Sequence, residues 1–156
     1  MRPPRMLHLP CALGLLLGAA SGQVQIQPLM ELAGQTSEPS LSPDGKTIAF
    51  NWCKPDYSCG IYTRPLAGGT VQLFAEQNAV MGFANSPRWS PDGRTIALTR
   101  FYSHYDVHLV VRGFAAEAEL DLGGVCWGQA TWSPDGRFVV ASRQEKTLAT
   151  LRIFDG

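Results

Sequence analysis

"WSPDG" occupies residues 89–93 and again 132–136, and a variant, "LSPDG", occupies residues 41–45. The three serines, Ser42, Ser90 and Ser133, are 48 and 43 residues apart. Self-similarity at a period of that size marks an array of like units. The likeness extends past the five letters. "SEPSLSPDGKTIAF", "ANSPRWSPDGRTIAL" and "GQATWSPDGRFVVA" each place an apolar residue before the serine and a basic residue after the glycine, followed by Ile48, Ile96 and Val139.

Each letter has a mechanical use. Pro43, Pro91 and Pro134 fix φ near the value that a type I turn wants at its second position, Asp44, Asp92 and Asp135 accept the bridge-region conformation, and Gly45, Gly93 and Gly136 tolerate positive φ. The chain therefore reverses at each site. The residues before each turn ("PSL", "PRW", "ATW") read as a short strand, and those after it ("TIAFNW", "TIALTR", "FVVAS") as its antiparallel partner. Three aspartates could also be read as a metal or acid–base set, but each sits in its own turn, a whole repeat from the next, so they are assigned to turn structure.

In "TIAF", "TIAL" and "FVVA" odd and even positions alike are apolar or small, so both faces of these strands must be covered. "GIYTRPL" and "TVQLFA" supply further strands in the first unit, "DVHLVVRG" and "AELDL" in the second, and "TLRIF" in the third. Four-stranded meanders repeated at about 40–50 residues are the blades of a β-propeller. The expected fold is all-β: a β-propeller fragment of about two and a half four-stranded antiparallel blades plus a leading orphan strand. The incomplete propeller spans residues 23–156, with the leading strand at 24–34, blade 1 at 35–78, blade 2 at 79–124 and partial blade 3 at 125–156.

The pattern P-x-W-S-P-D-G-[KR]-x-I-A-[FL], standing at residues 39–50, 87–98 and more loosely 130–141, resembles the WD-repeat-like propeller repeat of the TolB family. Similar blades occur in the propeller domains of prolyl oligopeptidase-type peptidases, of the tricorn protease and of oligogalacturonate lyase. The resemblance covers residues 24–156 and is specific for fold and unspecific for function. It implies a non-catalytic exported module that binds a protein partner. The alternative it implies is the substrate-gating propeller of a larger, prolyl oligopeptidase-type hydrolase. The chain departs from the pattern in its blade count, since propellers close with about 4–8 blades, and in lacking the separate N-terminal domain of TolB. It is therefore expected to be the leading portion of a longer protein, or a short form that self-associates through unpaired blade faces.

Residues 1–22 read as a signal peptide: Arg2 and Arg5 give a cationic start, an apolar stretch follows, and Ala19, Ala20, Ser21 and Gly22 supply the small residues before cleavage. The apolar stretch is shorter than the roughly 20 residues that span a bilayer. The expected location is the periplasm or outside the cell. An uncleaved N-terminal anchor is the alternative, and the membrane is otherwise not engaged. The 13 basic and 13 acidic residues balance without a basic cluster, so nucleic-acid binding is not expected.

In an oxidising compartment Cys53 and Cys59, which bracket "KPDYS", would form a disulfide, the alternative being two free thiols. Cys126 reads as a buried small hydrophobe beside Trp127. "HYDVH" at residues 104–108 could offer His104, Asp106 and His108 to a metal, but no further ligands are evident, so no metal and no cofactor is expected. The sequence contains neither G-x-S-x-G nor H-E-x-x-H nor a phosphate-cradling loop, so no catalytic residue is assigned.

A four-stranded meander alternates its connections between two rims, which puts the SPDG turns on one and the remaining loops on the other. Those loops carry Trp52, Tyr57, Met81, Phe83, Phe101, Tyr102, His104, Tyr105 and Trp127. Aromatic residues on exposed loops are typical of protein interfaces, so Trp52, Tyr57, Phe83, Phe101, Tyr102, Tyr105 and Trp127 are the candidate protein-binding rim. The competing use of several of them is to plug gaps between blades.

Overall fold

The computed structural model describes residues 27–103, 106–116, 118–125, 130–145 and 148–155, the last stretches from residue 143 as backbone. These residues form strands and no helix. β1 (Gln35–Leu41), β2 (Thr47–Cys53), β3 (Cys59–Pro65) and β4 (Gln72–Glu76) make one antiparallel meander; β5 (Phe83–Trp89), β6 (Thr95–Ser103), β7 (Asp106–Gly113) and β8 (Leu120–Gly124) make a second. β9 (Thr131–Trp132), β10 (Phe138–Glu145) and β11 (Leu148–Asp155) form a third sheet, of three strands among the described residues. β5 lies against β1, β2 and β3 of the first sheet and touches β9 of the third, the face-to-face stacking of propeller blades.

Both faces of the middle sheet are covered. Ile96, Leu98 and Val110 pack against Ala49, Ile61, Phe74 and Ala75 of the first sheet. Ala97 and Leu109, pointing the other way, pack against Val139 and Ala141 of the third. Alternation along a strand sends successive side chains to opposite faces, so an unbroken apolar run such as "IAL" serves two cores at once. The alanines keep the sheets close together.

Polar stitches run between the same sheets. The indole N–H of Trp89 donates to the Ser40 carbonyl at 3.1 Å, and that of Trp132 donates to the Arg88 carbonyl at 3.0 Å. The amide of Asn51 donates to the Ala84 carbonyl at 2.7 Å. Glu38 and Ser86 occupy matching β-bulges in β1 and β5, each at φ 53° ahead of a proline. The Glu38 carboxylate accepts the backbone N–H of Ser86 at 2.6 Å and its hydroxyl at 3.2 Å. Arg100 is fully buried between the first two sheets. It donates to the Glu76 carbonyl at 2.5 Å and through Nε to Glu119 at 2.9 Å, and its Nη2 also pairs with Glu119.

The leading strand is not found where it was expected: residues 27–34 form none, and 24–26 lie outside the described residues. The reason is visible in the hydrogen bonding. This segment crosses the face of the first sheet turned away from the second, where Trp52 donates its indole N–H to the Ala33 carbonyl at 2.8 Å and Arg64 donates to the Leu29 carbonyl at 3.3 Å. Side chains satisfy its carbonyls, so no edge pairing is needed. Gly34, at φ 101°, lies so near the Cys53 carbonyl oxygen that a Cβ would stand 2.2 Å from it. Gly82 repeats the device ahead of β5, where a Cβ would meet the Phe101 carbonyl oxygen at 2.7 Å.

Candidate protein-binding rim

Opposite the SPDG turns, the loop between β2 and β3 is closed by the Cys53–Cys59 disulfide, across a directly opposed residue pair. Within it, the Tyr57 N–H donates to the Lys54 carbonyl at 2.9 Å, and the Asp56 carboxylate accepts the Ser58 hydroxyl at 2.6 Å and N–H at 3.0 Å. Those bonds to Ser58 hold the Asp56 carboxyl below the usual aspartate range. Tyr57 stands at the tip with φ 64° and 91% exposure. The chain between β4 and β5 is fixed by Asn78, whose side-chain oxygen accepts the N–H groups of Val80 (2.9 Å) and Met81 (2.8 Å). Val80 is 82% exposed, Phe83 58% and Tyr102 44%. The Tyr102 ring lies beside Gly82 and edge-on to His108 at 5.5 Å, and its hydroxyl is pushed above the usual tyrosine value by burial, then by the nearby Asp121 charge.

The structure places Phe83 and Tyr102 on the ends of β5 and β6 rather than on loops, on opposite faces of that sheet because Phe83 pairs with Phe101, with Val80 on the loop before β5 and Tyr57 on the loop of the preceding sheet at the same rim. Trp52 is half-buried and used structurally: besides its bond to Ala33 it meets Tyr62 edge-on at 5.0 Å, with the Lys54 ammonium 5.3 Å above its ring. Phe101 is half-buried and paired in register with Phe83. Tyr105 and Trp127 lie outside the described residues, as do His104 and Cys126. Val80 is an addition that sequence reading passed over, because one valine in a loop carries no pattern.

In the H-Y-D-V-H stretch the described residues are Asp106, Val107 and His108. Asp106 and His108 bond to each other at 3.0 Å, and the second ring nitrogen of His108 faces Asp121 at 2.6 Å, so carboxylates engage both nitrogens. Among the described residues no group of three or more metal-ligating side chains is arranged to hold a metal ion. Asp121 could not have been paired with His108 without the β7–β8 register.

On the other rim the three turns repeat one hydrogen-bond set. The N–H groups of Gly45, Gly93 and Gly136 donate to the Ser42, Ser90 and Ser133 carbonyls at 2.9 Å, closing each turn. The serine hydroxyls donate to Asp44 and Asp92 at 2.6 Å and to Asp135 at 2.5 Å, while accepting the N–H of Thr47, Thr95 and Phe138. These serine bonds, then the backbone N–H of the following basic residue, hold all three aspartates below their ordinary value of 3.8. The carboxylates are occupied by their own turns. The turns also stack from sheet to sheet, since a Cβ on Gly93 would stand 3.7 Å from Pro43 and one on Gly136 3.7 Å from Pro91.

No family model and no curated relative matches the chain. Solved structures do. TolB from Acinetobacter baumannii superposes with a TM-score of 0.71 at 22% identity, over 84% of this chain and 32% of that one. A TolB-type protein of Agrobacterium tumefaciens gives 0.63 at 18% identity, over 81% and 47%. The β-propeller domain of the Trilobed protease from Pyrococcus furiosus, described as having an open velcro topology, gives 0.62 at 22% identity, over 80% and 40%. The chain spans less than half the length of each of these proteins, and at such identities the likeness establishes fold. That fold is the TolB-like β-propeller, present here as part of a ring's worth of blades.

Proposed function

We propose that the chain is an exported, non-catalytic β-propeller module that recognises another protein through the rim opposite the SPDG turns. The observation that carries this is the exposure of Tyr57 and Val80 on loops fixed by a disulfide, an aspartate and an asparagine, and of Phe83 and Tyr102 on the strand ends at the same rim. Exposed apolar residues gathered on one surface mark interaction sites, and loops ordered beforehand reduce the entropy lost on binding. Export rests on the N-terminal signal at residues 1–22. Among the described residues no helix is long and apolar enough to cross a membrane.

Crosslinking in the exporting cell, with the partner identified by mass spectrometry and its affinity then measured on purified components, tests the reading. Replacing Tyr57, Phe83 and Tyr102 together by serine should weaken binding by at least the ~2 kcal/mol of an interface hot spot, about 30-fold. Unchanged affinity would refute it.

The second reading, a propeller that gates substrate for a larger hydrolase, is favoured by the likeness to a protease's propeller domain. Coding sequence beyond codon 156 separates the two. Further SPDG units followed by a stop support the binding module, and a G-x-S-x-G motif supports the hydrolase.

A further inference from the structure

On the turn rim, the seam between the first and second sheets opens into a cleft of about 450 Å³. Its two walls differ in kind. The second sheet supplies aromatic rings: Trp89, at the end of β5 and anchored by its indole bond to Ser40, and Phe114, just after β7, which stacks on it with ring centroids 5.1 Å apart and planes at 20°. Phe114 also leans on Phe74 at 4.8 Å and is still 52% exposed. The first sheet supplies Thr47 of β2, Thr63 of β3 and Gln72 of β4, with Thr70 just before β4. Thr63 and Gln72 oppose each other in register, and alternation turns both, like Ile61 and Phe74 two positions away, toward the second sheet.

These polar side chains are unused. Among the described residues the side chains of Thr47, Thr63, Thr70 and Gln72 make no hydrogen bond. Thr63 matters most, because it is only 6% exposed and its hydroxyl nevertheless opens on the cleft. A hydroxyl so sheltered and without a protein partner is satisfied by water or by a ligand. Every residue that lines the cleft is uncharged, so a charged ligand would lose its hydration there and meet no counter-charge. The cleft continues in both directions. A space of about 500 Å³ shares Thr47, Trp89 and Gly93 with it, and one of about 180 Å³ shares Thr63, Gln72 and Phe114. Asp44 and Asp92 border the first extension and Arg112 the second, acceptors and a donor for hydroxyl groups. The whole is a groove with an aromatic, neutral middle, of a size found in small-molecule sites.

We propose that this groove binds a neutral oligosaccharide. A sugar ring has an apolar face of C–H groups and an edge of hydroxyls. The face lies on the exposed Phe114 ring, whose negative π-cloud attracts the polarised C–H groups. The hydroxyls exchange hydrogen bonds with Thr47, Thr63 and Gln72, since each threonine both donates and accepts and the amide does one with each of its ends. An aromatic peptide would use the ring and leave the hydroxyls unpaired, and a chain of uronic acids would meet no cation in the middle of the groove. The site lies on the turn rim, away from Tyr57 and Val80, and does not depend on the role proposed for that other rim.

The test titrates the full isotope-labelled chain with maltotetraose, cellotetraose and chitotetraose in turn and follows it by NMR. At least one of them is expected to give saturable shifts at the Thr63 and Gly93 amides and at the Trp89 indole, with an affinity that salt leaves unchanged because no charge is neutralised. Phe114→Ala should weaken that binding about tenfold. Thr63→Val, which keeps the shape of the side chain and removes its hydroxyl, should weaken it about fivefold while the melting temperature is kept, so that its effect is not one of unfolding. No saturable shift with any of the three sugars at millimolar concentration, or unchanged affinity in both variants, would overturn the proposal. So would shifts confined to Tyr57 and Val80, or a uronic-acid tetramer or a phenylalanine-bearing peptide that shifts the groove residues when the neutral sugars do not.

Discussion

Removing Arg100 should cost more stability than removing any other polar side chain of the first two sheets. Its guanidinium is fully buried at their junction, where it donates to Glu119 and to the Glu76 carbonyl. Arg100→Met fills the space with apolar atoms but leaves the buried Glu119 carboxylate with only Arg112, 4.0 Å away, as counter-charge. Breaking a buried pair from one side costs about 3–5 kcal/mol, and the orphaned Glu76 carbonyl adds about 1 kcal/mol. Replacing both partners, as Arg100→Met with Glu119→Leu, removes the stranded charge and should recover most of the ion-pair cost. In urea, where a domain of this size has a slope of about 2 kcal/mol per M, the single variant's midpoint should fall by about 2–3 M and the double variant's by less than about 1 M. Equilibrium unfolding followed by tryptophan fluorescence reads both. A double variant no more stable than Arg100→Met would refute the reasoning.

Gly34→Ala and Gly82→Ala should each cost about 2 kcal/mol or more in a thermal melt, because both combine positive φ with a backbone oxygen in the way; Gly123→Ala, at φ 101° with open space around it, should cost about 1 kcal/mol. Acid unfolding should depend on the three turn aspartates. Their folded pKa values lie below the ordinary 3.8, so the stability they contribute is present above that value and is lost as pH falls through the lower folded values. Replacing Asp44, Asp92 and Asp135 together by asparagine should flatten the acid limb of stability measured between pH 5 and the acid transition. Reducing the Cys53–Cys59 bond frees a short loop with a sequence separation of 6, which should lower stability by about 2 kcal/mol in the chain-entropy treatment. Urea curves with and without a thiol reductant check this.

The turns and their flanking strands were legible in the sequence because local chemistry dictates them. A proline, a φ-tolerant aspartate and a glycine in a row leave the backbone few options, and runs such as "TIAL" cannot show either face to water. The serine was legible as a letter of the repeat but not as its hub, since its role depends on a hydroxyl that donates to the aspartate while accepting the N–H five residues on. Gly34 and Gly82 did leave a signal, each lying eight residues before the serine of its repeat. Their purpose required knowing which carbonyl lay opposite. Arg100 reads as the polar end of a strand, and only packing reveals that its guanidinium is buried against Glu76 and Glu119. The leading segment carried an apolar pattern that suits a strand, yet the donors it meets, Trp52 and Arg64, are side chains on a sheet face rather than a free edge. On the candidate rim, sequence put Trp52, Phe83, Phe101 and Tyr102 on loops where the structure has strand ends, and it could not divide exposed Tyr57 from structurally employed Trp52. Both are aromatic residues near the same turn.

The central claim is that the repeated turns belong to radially stacked sheets, each leaning on the next. It is tested most directly by nuclear Overhauser contacts between successive turns. Stacking predicts cross-peaks from the Gly93 α-protons to Pro43 Hδ and from the Gly136 α-protons to Pro91 Hδ, with none between the first turn and the third. Absence of both sets in the folded chain, or contacts that pair the first turn with the third, would contradict it.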